Sequence, residues 1–169
     1  MAYSLMLSPN YWPGRDGHEP RAIVIHTMQG YLTGTDQTFK DPAKEVSAHF
    51  GVGLNGDVHQ YVKLADTAWA NGILEPGNRW STVFDPAINP NRLTVSIETE
   101  DLGRLNTRVD LKMLRAVAEL CRVSKLRFPS ITHLARHSDI SPISRRRCPG
   151  ARWEYLLPGL AEQHGLILL

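Results

Sequence analysis

The most informative hydrophobic pattern in the chain is the apolar, mostly β-branched run Ala22-Ile23-Val24-Ile25. A run without a polar residue on either face predicts a strand that is buried on both sides. His26 follows directly at its carboxyl end, where open α/β sheets bind their ligands, so its place makes it a candidate site residue. The alternative stays open, because a lone histidine after an apolar strand is more often structural.

Alternating segments predict further strands. Residues 46–54 and 57–64 flank Asn55-Gly56, which is the strongest short signal for a β-hairpin. The two histidines on these segments, His49 and His59, are expected to be packing or surface residues rather than metal ligands.

Residues 93–100 also alternate, and if Val95 and Ile97 face the core, then Glu98 and Glu100 face the other side. A carboxylate at a strand end near a metal ion is suited to act as a general base. The simpler interpretation is a solvent-facing charge on the strand.

Three segments have helical patterns. Residues 33–40 predict a short helix that Asp41-Pro42 ends, and residues 153–164 predict a final helix that Pro158 kinks. The longest helix is expected from about residue 108 to about residue 126, with Asn106 or Thr107 as its cap. Its predicted apolar face consists of Leu111, Leu114, Ala118, Leu120 and Cys121.

A long Gly- and Pro-rich loop covers residues 71–92, with Trp69 and Trp80 near its start. Long loops in otherwise compact proteins are usually functional. Exposed tryptophans there could stack on sugar rings, or they could equally fill the core.

The connection after a further predicted strand at residues 131–136 is rich in Ser and Pro and carries both His137 and Cys148. Neutral imidazole and thiolate are ligands that suit tetrahedral zinc. Two ligands are too few to hold the ion, so a third is expected elsewhere, and His26 is the best candidate. His133, on the same side of the predicted strand as His137, stays open as a competing ligand.

Size and charge narrow the function classes. The 169 residues fit one domain covering 1–169, and a net charge of +2 is too small to argue for nucleic acid. Basic residues do cluster at Arg145-Arg146-Arg147, which indicates either a solvated loop or a contact with an anionic substrate. The two cysteines, Cys121 and Cys148, are expected to be unpaired thiols with different roles.

The first residues lack the basic and apolar regions of a signal peptide, and no apolar run is long enough for a membrane span. We therefore expect a protein that is made in the cytoplasm, does not insert stably into a membrane and is monomeric. Work outside the cell would need another exit route.

Together these motifs resemble the type 2 N-acetylmuramoyl-L-alanine amidases, which include phage endolysins and are related to peptidoglycan recognition proteins. The resemblance begins at Ser8-Pro9-Asn10-Tyr11 and extends to the last predicted helix. Its further motifs lie at residues 21–27, 46–50, 55–62, 66–70, 89–98, 136–140 and 148–150. Each motif is weak alone, but the combination in this order and spacing is highly specific.

The resemblance implies an α/β protein of the α+β type, with a central mixed β-sheet flanked by helices and one zinc ion in a surface groove. It implies that His26, His137 and Cys148 are the zinc ligands, which leaves a fourth position open as in catalytic sites. Glu98 matches the family's catalytic glutamate, and the implied partner is peptidoglycan.

The chain departs from the family pattern at three positions, which the resemblance assigns to catalysis or substrate binding. The family often has Lys two residues before the last ligand, and Arg146 takes that place as the predicted oxyanion-stabilising residue. Some relatives carry Tyr where this chain has Ala48. The common Trp-His-Ala-Gly is Trp69-Ala70-Asn71-Gly72 here, so the Asn71 amide is expected to replace a groove imidazole.

The implied reaction is zinc-dependent hydrolysis of the amide between N-acetylmuramic acid and L-alanine, by a phage or prophage endolysin that passes through a phage-encoded pore. A cytoplasmic wall-recycling amidase is one alternative. A recognition module that binds peptidoglycan without cutting it is another, although such modules usually lose the metal cysteine.

Overall fold

The computed structural model describes residues 3–104 and 107–169 and has a seven-stranded mixed sheet at its centre. The strands of the described residues are β1 (Ser4–Leu5), β2 (Tyr11–Trp12), β3 (Ala22–Thr27), β4 (Phe50–Val52), β5 (Val58–Gln60), β6 (Thr67–Ala68), β7 (Thr94–Thr99), β8 (His133–Arg136) and β9 (Ile167–Leu168). β2 and β6 form a separate two-stranded sheet, and the other seven strands form the central sheet. The helices are α1 (Leu32–Lys40), α2 (Leu111–Arg127), α3 (Ala151–Glu154) and α4 (Leu157–Gln163). The predicted mixed sheet flanked by helices is confirmed.

The strand order in the large sheet is β1-β5-β4-β7-β3-β8-β9, with β4 and β5 antiparallel and every other pair parallel. β3 lies between β7 and β8, and all six of its residues are buried. This confirms the strand predicted from Ala22-Ile23-Val24-Ile25. The register places His26 directly beside Glu98 of β7.

The hairpin predicted around Asn55-Gly56 is present, although its strands are shorter than the alternating segments. Val52 pairs with Val58, and Gly56 takes a left-handed φ of 87°. A residue with a side chain would be strained there, which is why this turn needs glycine.

One face of the sheet packs against α2 and α4. Ile23, Ile25, Val95 and Ile97 point into this core. The other face carries α1 near β4 and β5 and the long loop near β3 and β8. Because strand residues alternate, His26 and Glu98 belong to this second face.

The helix α2 differs in detail from its prediction. It begins at Leu111 after Asp110, whose side chain accepts from the backbone N–H of Lys112, so Asp110 is the cap. Asn106 lies outside the described residues, and Thr107 instead donates to the carbonyl of Asp101. The prediction that Leu111 is on the apolar face was wrong, because Leu111 is exposed in the first turn. The buried residues are Met113, Ala116, Val117, Leu120, Cys121 and Ser124.

The predicted final helix is two helices, α3 and α4. Pro158 lies in the first turn of α4, where the missing N–H has no helical partner to lose, so it starts a helix rather than kinking one. The chain then adds β9 to the sheet beside β8, a short strand that was not predicted.

The long loop contains two 3-10 turns, Trp80–Thr82 and Pro90–Leu93. Trp80 is fully buried and stacks on Phe84 with ring centroids 4.2 Å apart, so of the two roles open for it Trp80 fills the core. Within the described ranges, no helix has the length and apolar character needed to cross a bilayer.

Candidate metal centre

Three side chains with metal-binding atoms meet at the carboxyl edge of the sheet. His26 is near the end of β3, His137 follows β8, and Cys148 comes from the irregular connection after it. Their ligand atoms all lie within 4.8 Å of one another, and all three residues are buried. Because β3 and β8 are parallel neighbours, their carboxyl ends must meet at one edge, which is how residues far apart in sequence form one cluster.

His133 does not belong to this cluster. It pairs with Ala22 at the opposite end of β8, and its ring packs edge-on against Phe84 at 5.1 Å. Of the two histidines left open by the sequence, the structure therefore brings only His137 to His26.

The two imidazoles present the same type of nitrogen to each other. The Nδ1 atoms of His26 and His137 are 2.9 Å apart, and Nε2 of His137 lies 3.2 Å from the backbone carbonyl of Asn71. When Nε2 carries the proton and donates it to this carbonyl, Nδ1 of His137 keeps a free lone pair. The second ring nitrogen of His26 and the side-chain oxygen of Asn71 are both buried without another partner.

Both histidines are neutral in this environment. Burial lowers the pKa of His26 well below its ordinary value, the neighbouring His137 and Arg145 lower it further, and the Asn71 side chain opposes them. Burial also lowers the pKa of His137 to about 4, against the hydrogen bond to the Asn71 carbonyl. Neutral imidazole is the form that binds a metal.

The two cysteines are both free, as predicted, and both are buried. Burial raises the pKa of the Cys148 thiol, Glu98 raises it further, and the Thr27 amide and Arg145 lower it. Burial alone raises the pKa of Cys121 to about 12, and that thiol packs in the core. The difference lies in their neighbours: Cys148 has two imidazoles within reach, and a coordinating metal would deprotonate it.

Two imidazoles and one thiolate within 4.8 Å of each other fit a zinc ion with an open fourth position. The orphaned ring nitrogen of His26 beside the Asn71 amide fits the same role, since metal-bound histidines usually donate their other N–H to an oxygen. The donor set therefore suits the metal that the sequence predicts.

Glu98 lies beside the cluster. Its Oε1 is 3.9 Å from Nδ1 of His26, and its Oε2 is buried without a partner. Burial raises the pKa of Glu98 to about 8, Asp101 contributes in the same direction, and Arg145 opposes them. Glu100, in contrast, accepts from the backbone N–H groups of Leu32 and Leu54, so it stabilises the loops around it.

A family model described as N-acetylmuramoyl-L-alanine amidase matches residues 16–151. The chain belongs to this family. That stretch contains His26, Glu98, His137 and Cys148. The prediction of an amidase is confirmed.

Solved structures of amidases share the fold. An AmpD derivative has 21% sequence identity and a TM-score of 0.76, with 94% of this chain and 93% of that one covered. An endolysin amidase, LysCS from Clostridium intestinale, has 16% identity and a TM-score of 0.59, covering 99% and 93%. AmiD from E. coli has 22% identity and a TM-score of 0.69, covering 89% of this chain and 60% of AmiD. No curated protein is similar enough in sequence to count as a relative.

The groove of the amidase has two lobes that meet at His137 and Arg145. The first, of about 220 Å³, is bordered by α1 and contains Glu98 and Cys148; we call it the α1 lobe. The second, of about 380 Å³, is bordered by the long loop and contains Trp69; we call it the loop lobe. Trp69 thus lies where a substrate could touch it, and its role in binding stays a prediction.

The amidase differs from the sequence prediction in which arginine reaches the groove. Arg145 lines both lobes, whereas Arg146 borders two other cavities, which contain Cys148 but neither Glu98 nor His137. Three consecutive arginines in an irregular turn have no periodicity from which the sequence could tell which one points inward. The oxyanion role of Arg146 stays a prediction, but its position does not favour it.

Of the other two predicted substrate contacts, Ala48 lies in the core and Asn71 is buried at the lining of the loop lobe, and their roles in binding stay predictions. Ala48 is fully buried in a cluster with Phe39 and Tyr61. Asn71 is fully buried, and its side-chain amide donates to Thr94 Oγ1 at 2.8 Å. Its backbone N–H donates to Asn91 Oδ1 at 2.8 Å, and its carbonyl lies 3.2 Å from Nε2 of His137, so Asn71 is placed to orient His137.

His49 and His59 are packing residues, which is one of the two roles expected for them. Nδ1 of His49 accepts from the backbone N–H of Ser96 at 3.1 Å, and the ring is fully buried. Nδ1 of His59 lies 2.7 Å from a carboxylate oxygen of Asp36 on α1.

Proposed function

We propose that this amidase holds one zinc ion with His26, His137 and Cys148 and hydrolyses the amide between N-acetylmuramic acid and L-alanine in peptidoglycan. The observation that carries the proposal is the buried cluster of two imidazoles and a thiol with Glu98 in register beside it. The ion supplies a Lewis acid that polarises the amide carbonyl and lowers the pKa of a water molecule to about 7.

Glu98 is the general base and then the general acid. It takes up the proton of the attacking water and delivers it to the nitrogen of the leaving L-alanine, which otherwise leaves poorly. A pKa near 8 is close to working pH, so one carboxyl can both accept and return a proton. The bound ion's positive charge favours the carboxylate, the form that must start the cycle.

A cation at the junction of the lobes stabilises the charge that develops on the carbonyl oxygen. Arg145 is the arginine that lines both lobes, and none of the ion pairs found between described residues involves Arg145, Arg146 or Arg147. A free guanidinium in this place adds donors where negative charge appears. Arg146, the residue assigned from the sequence, is the alternative.

The substrate lies across both lobes, with the scissile amide at their junction. Trp69 offers an aromatic wall in the loop lobe, and AmiD was solved with anhydro-N-acetylmuramic acid-L-Ala-D-γ-Glu-L-Lys, a sugar joined to a peptide. We propose peptidoglycan as the partner of this chain from that similarity and the family.

We further propose that the chain acts as a phage or prophage endolysin, made in the cytoplasm and released through a phage-encoded pore. The similarity in fold to an endolysin from Clostridium supports this. A cytoplasmic recycling amidase is the second candidate, because the AmiD substrate is a single anhydro sugar joined to a short peptide.

The test is mass spectrometry of purified cell walls after incubation with the protein, with and without a chelator. We expect free stem peptides with new L-alanine amino termini, lost on chelation and restored by zinc. Binding without release would make the protein a recognition module. Comparing rates on intact walls with rates on soluble anhydromuropeptides separates the endolysin from the recycling enzyme.

A further inference from the structure

The guanidinium of Arg152 binds the carboxyl end of β7. Arg152 lies four residues after Cys148, in α3. Its Nη1 donates to the carbonyl of Glu100 at 2.7 Å, and its Nη2 donates to the carbonyl and hydroxyl of Thr99 at 3.1 and 3.0 Å. One side chain therefore ties the helix behind Cys148 to the strand that carries Glu98.

Thr99 extends this connection to the strand of His26. Its hydroxyl donates to the backbone carbonyl of His26 at 2.6 Å and accepts from Arg152 and from Nε1 of Trp153 at 3.1 Å. A hydroxyl has one donor and two acceptor sites, so all the hydrogen-bonding capacity of Thr99 is used. Thr99 therefore connects β3, β7 and α3.

A second connection runs through Thr27, the residue after His26. Nη2 of Arg152 donates to the Thr27 hydroxyl at 3.2 Å, and that hydroxyl donates to Asp101 at 2.7 Å. Asp101 is fully buried. Burial lowers the pKa of Arg152, and the negative charge of Asp101 opposes this effect.

The backbone of Cys148 is held by two hydrogen bonds. Its N–H donates to the carbonyl of Arg145 at 2.9 Å, and its carbonyl accepts at 3.2 Å from the backbone N–H of Ser138, the residue after His137. The residues just before it, 143–147, are exposed, although the Glu75 carboxylate accepts from two of their backbone N–H groups. These bonds and the Thr27 amide keep Cys148 close to the two histidines, and the residues after it add an attachment to the strand of Glu98.

We propose that Arg152 is a positioning residue, which sets the place of the Cys148 thiolate relative to His26 and Glu98 and thereby controls zinc affinity. The inference rests on the proposed zinc function. A planar guanidinium that bonds to several oxygens at once holds two strands and a helix in one geometry, which the single ammonium of a lysine cannot reproduce. Residues outside the ligand set of a metal commonly change its affinity about 10- to 100-fold when replaced.

The test compares Arg152→Lys with a matched control, Arg15→Lys. Arg15 is buried whereas Arg152 is half-buried, but its guanidinium likewise bonds to backbone carbonyls, those of Leu64, Arg92 and Thr94. We expect both variants to lower the melting temperature of the metal-free protein. Only Arg152→Lys should weaken zinc binding, by about 10- to 100-fold in competition with a chromophoric chelator, and change the thiolate-to-metal absorption band of the cobalt(II)-substituted protein.

Equal zinc affinity and an unchanged cobalt band in Arg152→Lys would overturn the inference. So would an equal loss of affinity in Arg15→Lys, because the effect would then follow from stability alone. If Arg152→Lys does not fold, Thr99→Val and Thr99→Ser decide. Thr99→Val removes the hydroxyl and should reproduce the loss of zinc affinity, whereas Thr99→Ser keeps it and should retain wild-type affinity. Identical zinc affinities in the two variants would refute the network.

One further variant separates this inference from the proposed function. Cys148→Ser should abolish the thiolate-to-cobalt band in the otherwise wild-type protein. If the band persists in Cys148→Ser, the proposed ligand set is wrong. If the band is lost there while Arg152→Lys binds zinc normally, only the role of Arg152 is refuted.

Discussion

The two ends of β7 are each held by an arginine, which is buried at one end and half-buried at the other, but only one end carries the proposed site. At the start, Arg15 donates to the carbonyls of Arg92, Thr94 and Leu64, each at 3.0 Å. At the other end, Arg152 binds Thr99 and Glu100. At each end, one guanidinium donates hydrogen bonds to backbone carbonyls of the strand or its flanking residues.

The two ends differ in whether the polar atoms around the arginine have hydrogen-bond partners. Near Arg152, buried atoms of His26, Glu98 and Arg152 itself lack hydrogen-bond partners. Leaving such a group unpaired costs about 1–3 kcal/mol, so a fold tolerates several together only where something else uses them. The start of the strand therefore contributes stability, whereas the end holds the groups that we propose bind the metal and act on the substrate.

The largest expected effect is from Cys148→Ser at the functional end. It should abolish both zinc retention and release of stem peptides, because the ligand set loses its thiolate. Zinc content by mass spectrometry and peptide release measure this, with Cys121→Ser as a control that lowers stability but keeps zinc. Normal activity in zinc-free Cys148→Ser protein would sink the metal assignment.

Glu98→Gln should lower kcat by about 10²- to 10⁴-fold while zinc stays bound, because the amide cannot accept a proton.

The folded state also raises the pKa of Glu98, so its stability cost is present at pH 7 and disappears as pH falls toward the ordinary carboxyl pKa. Metal-free Glu98→Gln should therefore be more stable than wild type at pH 7, by about 2–3 kcal/mol. Denaturant titrations measure this difference. A less stable variant would contradict the inference that the carboxyl end of β7 holds catalytic groups at a cost in stability.

Replacing the arginines one at a time decides which of them serves the reaction. Arg145→Ala should lower kcat by about 10²-fold, the usual effect of removing an oxyanion donor, with a smaller change in KM. Arg146→Ala, its matched neighbour, should have a much smaller effect on kcat. The reverse result would restore the role assigned to Arg146 from the sequence.

The smallest expected effect is at the structural end, where His49 lies 2.9 Å from Arg15. Burial and the Arg15 charge lower the pKa of His49 to about 3, so its contribution to stability is present above its ordinary pKa and is lost as pH falls toward 3. Between pH 7 and pH 4.5, wild type should lose about 2–3 kcal/mol more unfolding free energy than His49→Asn. Equal losses of unfolding free energy in metal-free wild type and His49→Asn would show that His49 does not couple folding to pH.

Much of the site could be predicted because its residues sit at strand ends that the sequence marks clearly. The all-apolar run before His26 and the alternation around Glu98 identify two neighbouring strands, and the resemblance to the amidase family orders the rest. The hairpin was predictable for a similar reason, since Asn55-Gly56 has few conformations that suit it.

The rest depends on packing at a distance. Leu111 fits the helical pattern but lies in the first turn, beyond the edge of the core. The side-chain directions of Arg145 and Arg146 depend on an irregular turn. Arg152 has no motif at all, because its partners are backbone carbonyls and hydroxyls that only the fold brings near it.

The parallel pairing of β3 with β8 also affects when the enzyme becomes active during its synthesis. His26 and His137, whose rings touch, are 111 residues apart in sequence. Pairing at such separation is slow and must wait for both strands to leave the ribosome. A growing chain thus carries His26 without His137 through most of translation, so the metal centre can form only after most of the chain has been made.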